Sequence, residues 1–266
     1  MASGLATISS DVIARRFAEL RARNRRALVP YITAGYPDEA RTIELMRGLE
    51  DAGADVIELG LPFSDPMADG PVIQASSQRA LELGMNFDRL LDLVGQANVR
   101  IPLVLFSYLN PILAAGDDAL VRAAQAGMSG LLLTDLPVGA DPEREARIGE
   151  GPLEFIRLVA PTTPLERMRE IGEHGRGFVY LISRLGVTGA RDDLPAELPA
   201  TARRLREATS LPVCVGFGVS RPEQAARVAG IADGVVVGSA IVRAAGETVS
   251  QAVALAASLR AAIDAA

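Results

Sequence analysis

Val56-Ile57-Glu58-Leu59-Gly60 is a short apolar run broken by one carboxylate. Seven more runs rich in Val, Ile and Leu recur, so that eight start near Leu28, Asp55, Pro102, Gly130, Glu154, Phe178, Pro212 and Gly234. Most are continuously apolar rather than alternating, the pattern of parallel strands covered on both faces. Helical periodicity fills the intervals. Asp38 is placed to cap a helix whose Ile43, Met46 and Leu49 share a face, and Ser220-Arg221-Pro222-Glu223 reads as a capping box. Strand–helix alternation along a whole chain gives either a closed barrel or an open doubly wound sheet. Eight strands, with no Gly-x-Gly-x-x-Gly after the first, favour the barrel.

The length of 266 residues suits that choice, because eight-fold α/β barrels commonly use about 250. No Pro/Gly/Ser linker splits the chain, so we expect one α/β domain over 1–266, a single (β/α)8 TIM barrel. Ile13, Phe17 and Leu20 fall at helical spacing ahead of the first strand. They predict an extra N-terminal helix covering the barrel bottom. The strand starts are unevenly spaced: 47 residues separate Asp55 from Pro102, and 34 separate Phe178 from Pro212. Both long excursions follow the carboxyl ends of strands, where barrel active sites form, and they are expected to act as functional lids.

Composition excludes several chemistries. All 27 basic residues are arginines, so Schiff-base catalysis and covalent attachment of pyridoxal phosphate are ruled out in this chain. One histidine, His174, precedes a glycine at what reads as a helix end, and a histidine-rich metal site is impossible. One cysteine, Cys214, allows no internal disulfide and reads as a small core residue. The net charge of −6 argues against nucleic acid, and the Arg15–Arg26 cluster reads as a solvated helix face. No apolar run approaches the ~20 residues of a membrane span. Met1-Ala2-Ser3-Gly4 does not open a signal peptide, so a cytoplasmic location is expected.

Val56 and Glu58 point to the same face of their strand, because side chains alternate. If that face is the interior, Glu58 is a carboxylate at the top of an apolar core. Desolvation then raises its pKa and suits it to proton transfer near neutrality. The loop that follows, Leu61-Pro62-Phe63-Ser64-Asp65-Pro66-Met67-Ala68-Asp69-Gly70-Pro71, carries two more acids. Glycines follow strands six, seven and eight in Ser183-Arg184-Leu185-Gly186-Val187-Thr188-Gly189, Gly216-Phe217-Gly218 and Gly238-Ser239. Gly238-Ser239 also opens a helix. Backbone N–H groups in such loops and at a helix N-terminus bind phosphate without any lysine.

At these residues the chain resembles the alpha chain of tryptophan synthase, over essentially its whole length and in order. The most specific stretch is Glu58 to Pro71. Thr33-Ala34-Gly35-Tyr36-Pro37, Ser107-Tyr108-Leu109-Asn110-Pro111, Asp135-Leu136-Pro137, the Ser183–Gly189 stretch, Gly216-Phe217-Gly218 and Gly238-Ser239-Ala240-Ile241-Val242 complete it. Thr134 stands where that family more often has proline or alanine, and the Val138–Glu150 stretch is unlike most members. The resemblance implies a (β/α)8 barrel that cleaves indole-3-glycerol phosphate to indole and glyceraldehyde 3-phosphate, a carbon–carbon lyase reaction. It makes Glu58 the catalytic glutamate, Asp69 the partner of the indole nitrogen, and Tyr180 the active-site tyrosine. Tyr31, Phe106, Leu132 and Leu158 then surround the indole, and Thr188 lies in a mobile loop. Gly189, Gly218, Gly238 and Ser239 hold the phosphate.

The implied reaction agrees with the residue types. Cleavage needs a proton delivered to indole C3 and another taken from the adjacent hydroxyl, and one carboxyl group can do both. An aspartate can stabilise the charge that then develops on the ring nitrogen. The resemblance implies no cofactor and no metal in this chain. Its partner is a pyridoxal-phosphate beta chain in an alpha2–beta2 assembly that receives the indole, on a surface that includes the loops around Ser64, Asn110 and Pro137. Three other readings stand beside it. A stand-alone indole-releasing lyase needs the same residues. A phosphate-binding regulator of a partner has no need of Glu58, Asp69 and Tyr180 together. Another phosphosugar barrel, such as an isomerase, is set apart by the Pro62–Pro71 loop.

Overall fold

Eight parallel strands close into a barrel in sequence order, β1 to β8, with β8 returning to β1. The computed structural model describes residues 11–182, 195–216 and 218–266. The chain runs α1 (Val12–Ala22), β1 (Ala27–Thr33), α2 (Glu39–Asp51), β2 (Ile57–Gly60), α3 (Pro71–Glu82), α4 (Phe87–Ala97), β3 (Leu103–Ser107), α5 (Leu109–Ala114), α6 (Ala119–Ala126) and β4 (Met128–Leu133). It continues α7 (Pro142–Gly149), β5 (Glu154–Val159), α8 (Leu165–Glu173), β6 (Val179–Ile182), α9 (Leu198–Ala208), β7 (Val213–Gly216), α10 (Pro222–Ala229), β8 (Gly234–Val237), α11 (Ser239–Glu247) and α12 (Val249–Asp264).

Alternate residues of each strand belong to two separate cores, which is why the strand sequences are apolar throughout. Val29, Val56, Val104, Leu132, Ile156 and Cys214 fill the barrel interior. Their neighbours Leu28, Ile57, Leu105, Leu131, Phe155 and Val215 pack outward against the helices. The expected helix α1 closes the interior from below, with Ile13, Phe17 and Leu20 inserted among the interior residues. Phe17 meets Phe178 with ring centroids 5.6 Å apart. Burying the three side chains contributes roughly 1.5–3 kcal/mol each. The first turn of α1 is tied by Glu154 at the start of β5, whose carboxylate accepts from Ile13 N at 2.6 Å and Ala14 N at 3.0 Å. Those two N–H groups have no partner within the helix, and a carboxylate there also favours the helix dipole.

Two local expectations are corrected. The capping box sits one residue later than expected: Arg221 is the N-cap of α10, and the Gln224 side chain accepts from Ser220 N at 2.9 Å and Arg221 N at 3.2 Å. Pro222 at the first helical position displaces the cap from Ser220. The long excursion after β2 is not a long lid. It is one loop followed by two helices, α3 and α4. Asp38 does cap α2, accepting from Arg41 N at 2.8 Å, and His174 is the C-cap of α8.

Candidate active site at the carboxyl ends of the strands

In parallel register, Tyr31 of β1 lies beside Glu58 of β2, and Leu158 of β5 beside Tyr180 of β6. All four side chains reach the upper end of the barrel, where they line a cavity of about 150 Å³. Phe106, Asp69, Gly218, Gly238 and Ser239 also line it. A pocket of that size holds a single aromatic ring when its walls are apolar. Tyr31 and Phe106 meet edge to face, ring centroids 5.1 Å apart.

Glu58 is fully buried, and neither carboxylate oxygen has a hydrogen-bond partner among the described residues. Burial pushes its pKa up to about 8. An ionised carboxylate in that position is costly, so at neutral pH the group holds a proton it can give away. Burial likewise drives the Tyr180 hydroxyl well above the ordinary tyrosine range, with the Glu58 charge adding to the shift.

The two acids of the loop after β2 separate. Asp69 faces the cavity, while Asp65 lines an outer groove with Phe63, Met67 and Gln74. Burial raises Asp69 to about 6, opposed by a hydrogen bond from Tyr108. The Tyr108 hydroxyl donates to Asp69 Oδ2 at 3.2 Å and accepts from Ala68 N at 2.9 Å, so it fixes both ends of the loop residue pair. Nothing in the sequence pattern marks Tyr108 for this role, because its partner lies 39 positions away. Thr134, Ser220 and Arg243 also line the cavity. Sequence reading gave none of the three a place in the site.

Leu132, expected beside the ring, is fully buried in the barrel interior and is not among the cavity-lining residues. It supports the floor under Phe106 and Leu158. Thr188 and Gly189 lie outside the described residues.

Two helices, α10 and α11, begin just after the cavity-lining residues Ser220 and Gly238, and their first turns differ. At α10, Gln224 occupies the N–H groups of Ser220 and Arg221. At α11, Gly238 is the N-cap and no side chain caps the helix. With no side-chain cap among the described residues, the first-turn N–H groups of α11 have the polarity that favours an anion. Gly218, at φ +85°, holds a backbone conformation that L side chains rarely adopt, with open space around its α-carbon. Among the described residues, no group of three or more His, Cys, Asp and Glu side chains could hold a metal ion. No helix among them is long and apolar enough to cross a membrane.

A family model described as tryptophan synthase alpha chain matches residues 17–264. The chain belongs to the tryptophan synthase alpha-chain family. Relatives of that name include those of Geobacter sulfurreducens, 49% identical over 234 residues and covering 87% of this chain and 89% of that one, and Gloeobacter violaceus, 50% identical over 235 residues and covering 87% and 85%. A solved tryptophan synthase alpha subunit from Legionella pneumophila superimposes with a TM-score of 0.88 at 38% identity, covering 96% of this chain and 99% of that one. A tryptophan synthase structure from Mycobacterium tuberculosis gives 0.87 at 38% identity, covering 95% and 98%. The family's barrel therefore extends over nearly the whole chain, including the cavity.

Proposed function

We propose that the chain catalyses the alpha reaction of tryptophan synthesis, cleaving indole-3-glycerol phosphate to indole and glyceraldehyde 3-phosphate. The observation that carries this reading is Glu58: a buried carboxyl group without a partner, at the floor of a ring-sized cavity that ends in an uncapped helix. The indole ring lies between Tyr31, Phe106 and Leu158, with Leu132 beneath and Tyr180 on the wall. The phosphate lies against Gly218, Gly238 and Ser239, with Thr188 and Gly189 assigned to the same end by resemblance.

Glu58 begins protonated. It gives its proton to indole C3, and the positive charge that develops on the ring nitrogen is stabilised by Asp69, held in place by Tyr108. The carboxylate of Glu58 then takes the proton of the adjacent side-chain hydroxyl. The C3–carbon bond breaks, its electrons return to the indole ring, and the former hydroxyl carbon becomes the aldehyde. Glu58 ends the cycle protonated, as it began. No step calls on a metal or an organic cofactor in this chain. Pyridoxal phosphate belongs to a beta chain, expected in an alpha2–beta2 assembly that takes up the indole. The outer loops around Ser64, Asn110 and Pro137 are the proposed face for that partner. We place this single-domain enzyme in the cytoplasm, where Cys214 stays a thiol.

The pH dependence has a definite sign. Because the reaction starts from protonated Glu58, kcat/KM is expected to fall as pH rises through about 8. A profile flat to pH 9.5 contradicts the role given to Glu58.

The deciding experiment is indole release from indole-3-glycerol phosphate by the purified chain, with and without a tryptophan synthase beta chain. Slow release alone and strong activation by the beta chain supports the coupled enzyme. Fast release alone replaces it with a stand-alone lyase. No release in either condition overturns the reaction.

A further inference from the structure

We propose that Arg243 is the charged contact for the phosphate of the substrate and sets the preference for phosphorylated over unphosphorylated ligands. The inference rests on the reading of the cavity as a phosphate-ester site and adds a side chain to a subsite otherwise built from backbone donors.

Arg243 is the only cation among the described residues that line the cavity, and it shares that cavity with two acids, Glu58 and Asp69. It stands four residues after Ser239 in α11, so both lie on one face of the helix. Side chains on an α-helix lean back toward its N-terminus, so the Arg243 side chain extends toward the first turn and its N–H groups. The side chain is exposed, and no ion pair or side-chain hydrogen bond engages it among the described residues. Other arginines among the described residues are committed elsewhere: Arg157 to Glu145, Arg260 to Asp55, Arg122 to Asp88 and Asp118. The rival helix end, at α10, is filled by Gln224. Anion-binding capacity therefore concentrates at α11, and a guanidinium there adds hydrogen bonds of the strong, charge-assisted kind.

The geometry also orients the substrate. The ionised Asp69 repels a phosphate dianion, while the first turn of α11 and Arg243 attract it. An ester with its phosphate turned toward Asp69 is therefore disfavoured.

The test is binding of glycerol 3-phosphate to the full-length chain by calorimetry, alongside steady-state cleavage of indole-3-glycerol phosphate. Arg243→Gln is expected to weaken glycerol 3-phosphate about 10-fold and raise KM by a similar factor, with kcat at saturation changed less than about 2-fold. Binding of indole itself should not change. Arg243→Lys should restore most of the phosphate affinity, since it restores the charge without the planar fork. The salt dependence of KM should flatten in Arg243→Gln, because a screened attraction has been removed. Glycerol 3-phosphate affinity equal to the parent's in Arg243→Gln overturns the proposal, as does an equal loss of indole binding. A parent that does not cleave the ester, yet loses glycerol 3-phosphate affinity on Arg243→Gln, removes the proposed reaction and keeps the phosphate contact.

Discussion

Replacing Glu58 with glutamine is expected to slow indole-3-glycerol phosphate cleavage by roughly 1,000-fold while the barrel stays folded. Glutamine fills the same volume but carries no exchangeable carboxyl proton, so both proton transfers lose their agent. The same variant also tests the burial of the group. A folded-state pKa of about 8, against an ordinary value of 4.5, means that folding favours the protonated form. The parent's stability is then complete below pH 4.5 and declines as pH rises to about 8, above which an ionised carboxylate must be buried. Glutamine has no such penalty. Urea unfolding at pH 5 and pH 9 should show the variant gaining on the parent across that interval, by on the order of 4 kcal/mol. A stability difference independent of pH would show that Glu58 is not a desolvated acid.

The second large effect concerns the β4–α7 connection, at the rim of the barrel. Arg157 projects outward from β5 and pairs with Glu145 of α7 at 2.9 Å, both nearly fully buried. Its guanidinium lies over the Phe155 ring, 3.7 Å from the centroid. It also donates to the carbonyls of Leu136 at 3.2 Å and His174 at 3.1 Å. The other oxygen of Glu145 accepts from Gly139 N at 2.8 Å and Asp141 N at 3.2 Å. Glu145→Gln keeps the shape but leaves a buried guanidinium uncompensated, and should cost about 3–5 kcal/mol in urea unfolding at pH 7. Glu145→Leu combined with Arg157→Met should recover most of that loss, because no charge then remains in the interior. A single variant within about 0.5 kcal/mol of the parent would mean that the pair is solvated in solution. The connection starts at Thr134, which lines the cavity, and runs through Asp135, which accepts from Leu109 N at 2.7 Å. Loosening it should therefore disturb the site as well as the fold.

The barrel was legible because two cores need two sets of apolar residues from every strand. That demand writes itself into runs such as Val213-Cys214-Val215, which no solvent-facing strand would tolerate. Helix α1 was legible from three residues at one spacing, Ile13, Phe17 and Leu20. Glu58 was legible because it is the one charge in an otherwise apolar strand and lies on the face of Val56. What could not be read depends on contacts between distant positions. The bond from Tyr108 to Asp69 joins two loops, and no periodicity encodes it. The resemblance put Leu132 beside the ring, yet it is buried in the interior and not among the cavity-lining residues, and no sequence pattern reports a side chain's height in the barrel. The cap of α10 was misplaced because Ser220 and Gln224 both have side chains suited to capping, and only the backbone path decides between them.

Closure of the barrel also imposes an order on synthesis. Strand β1 pairs with β2 on one side and β8 on the other, with Ala27 opposite Gly234, roughly 200 positions away. At roughly 5–20 residues per second, a ribosome takes on the order of 10–40 s to reach the second partner. Throughout that interval β1 has one unpaired row of N–H and C=O groups, the kind of edge that recruits foreign strands. Helix α1 waits about two-thirds as long, since the carboxylate that anchors it arrives 141 residues after Ile13. The nascent chain is thus most exposed to misassembly at its beginning, and its last strand relieves the exposure of its first.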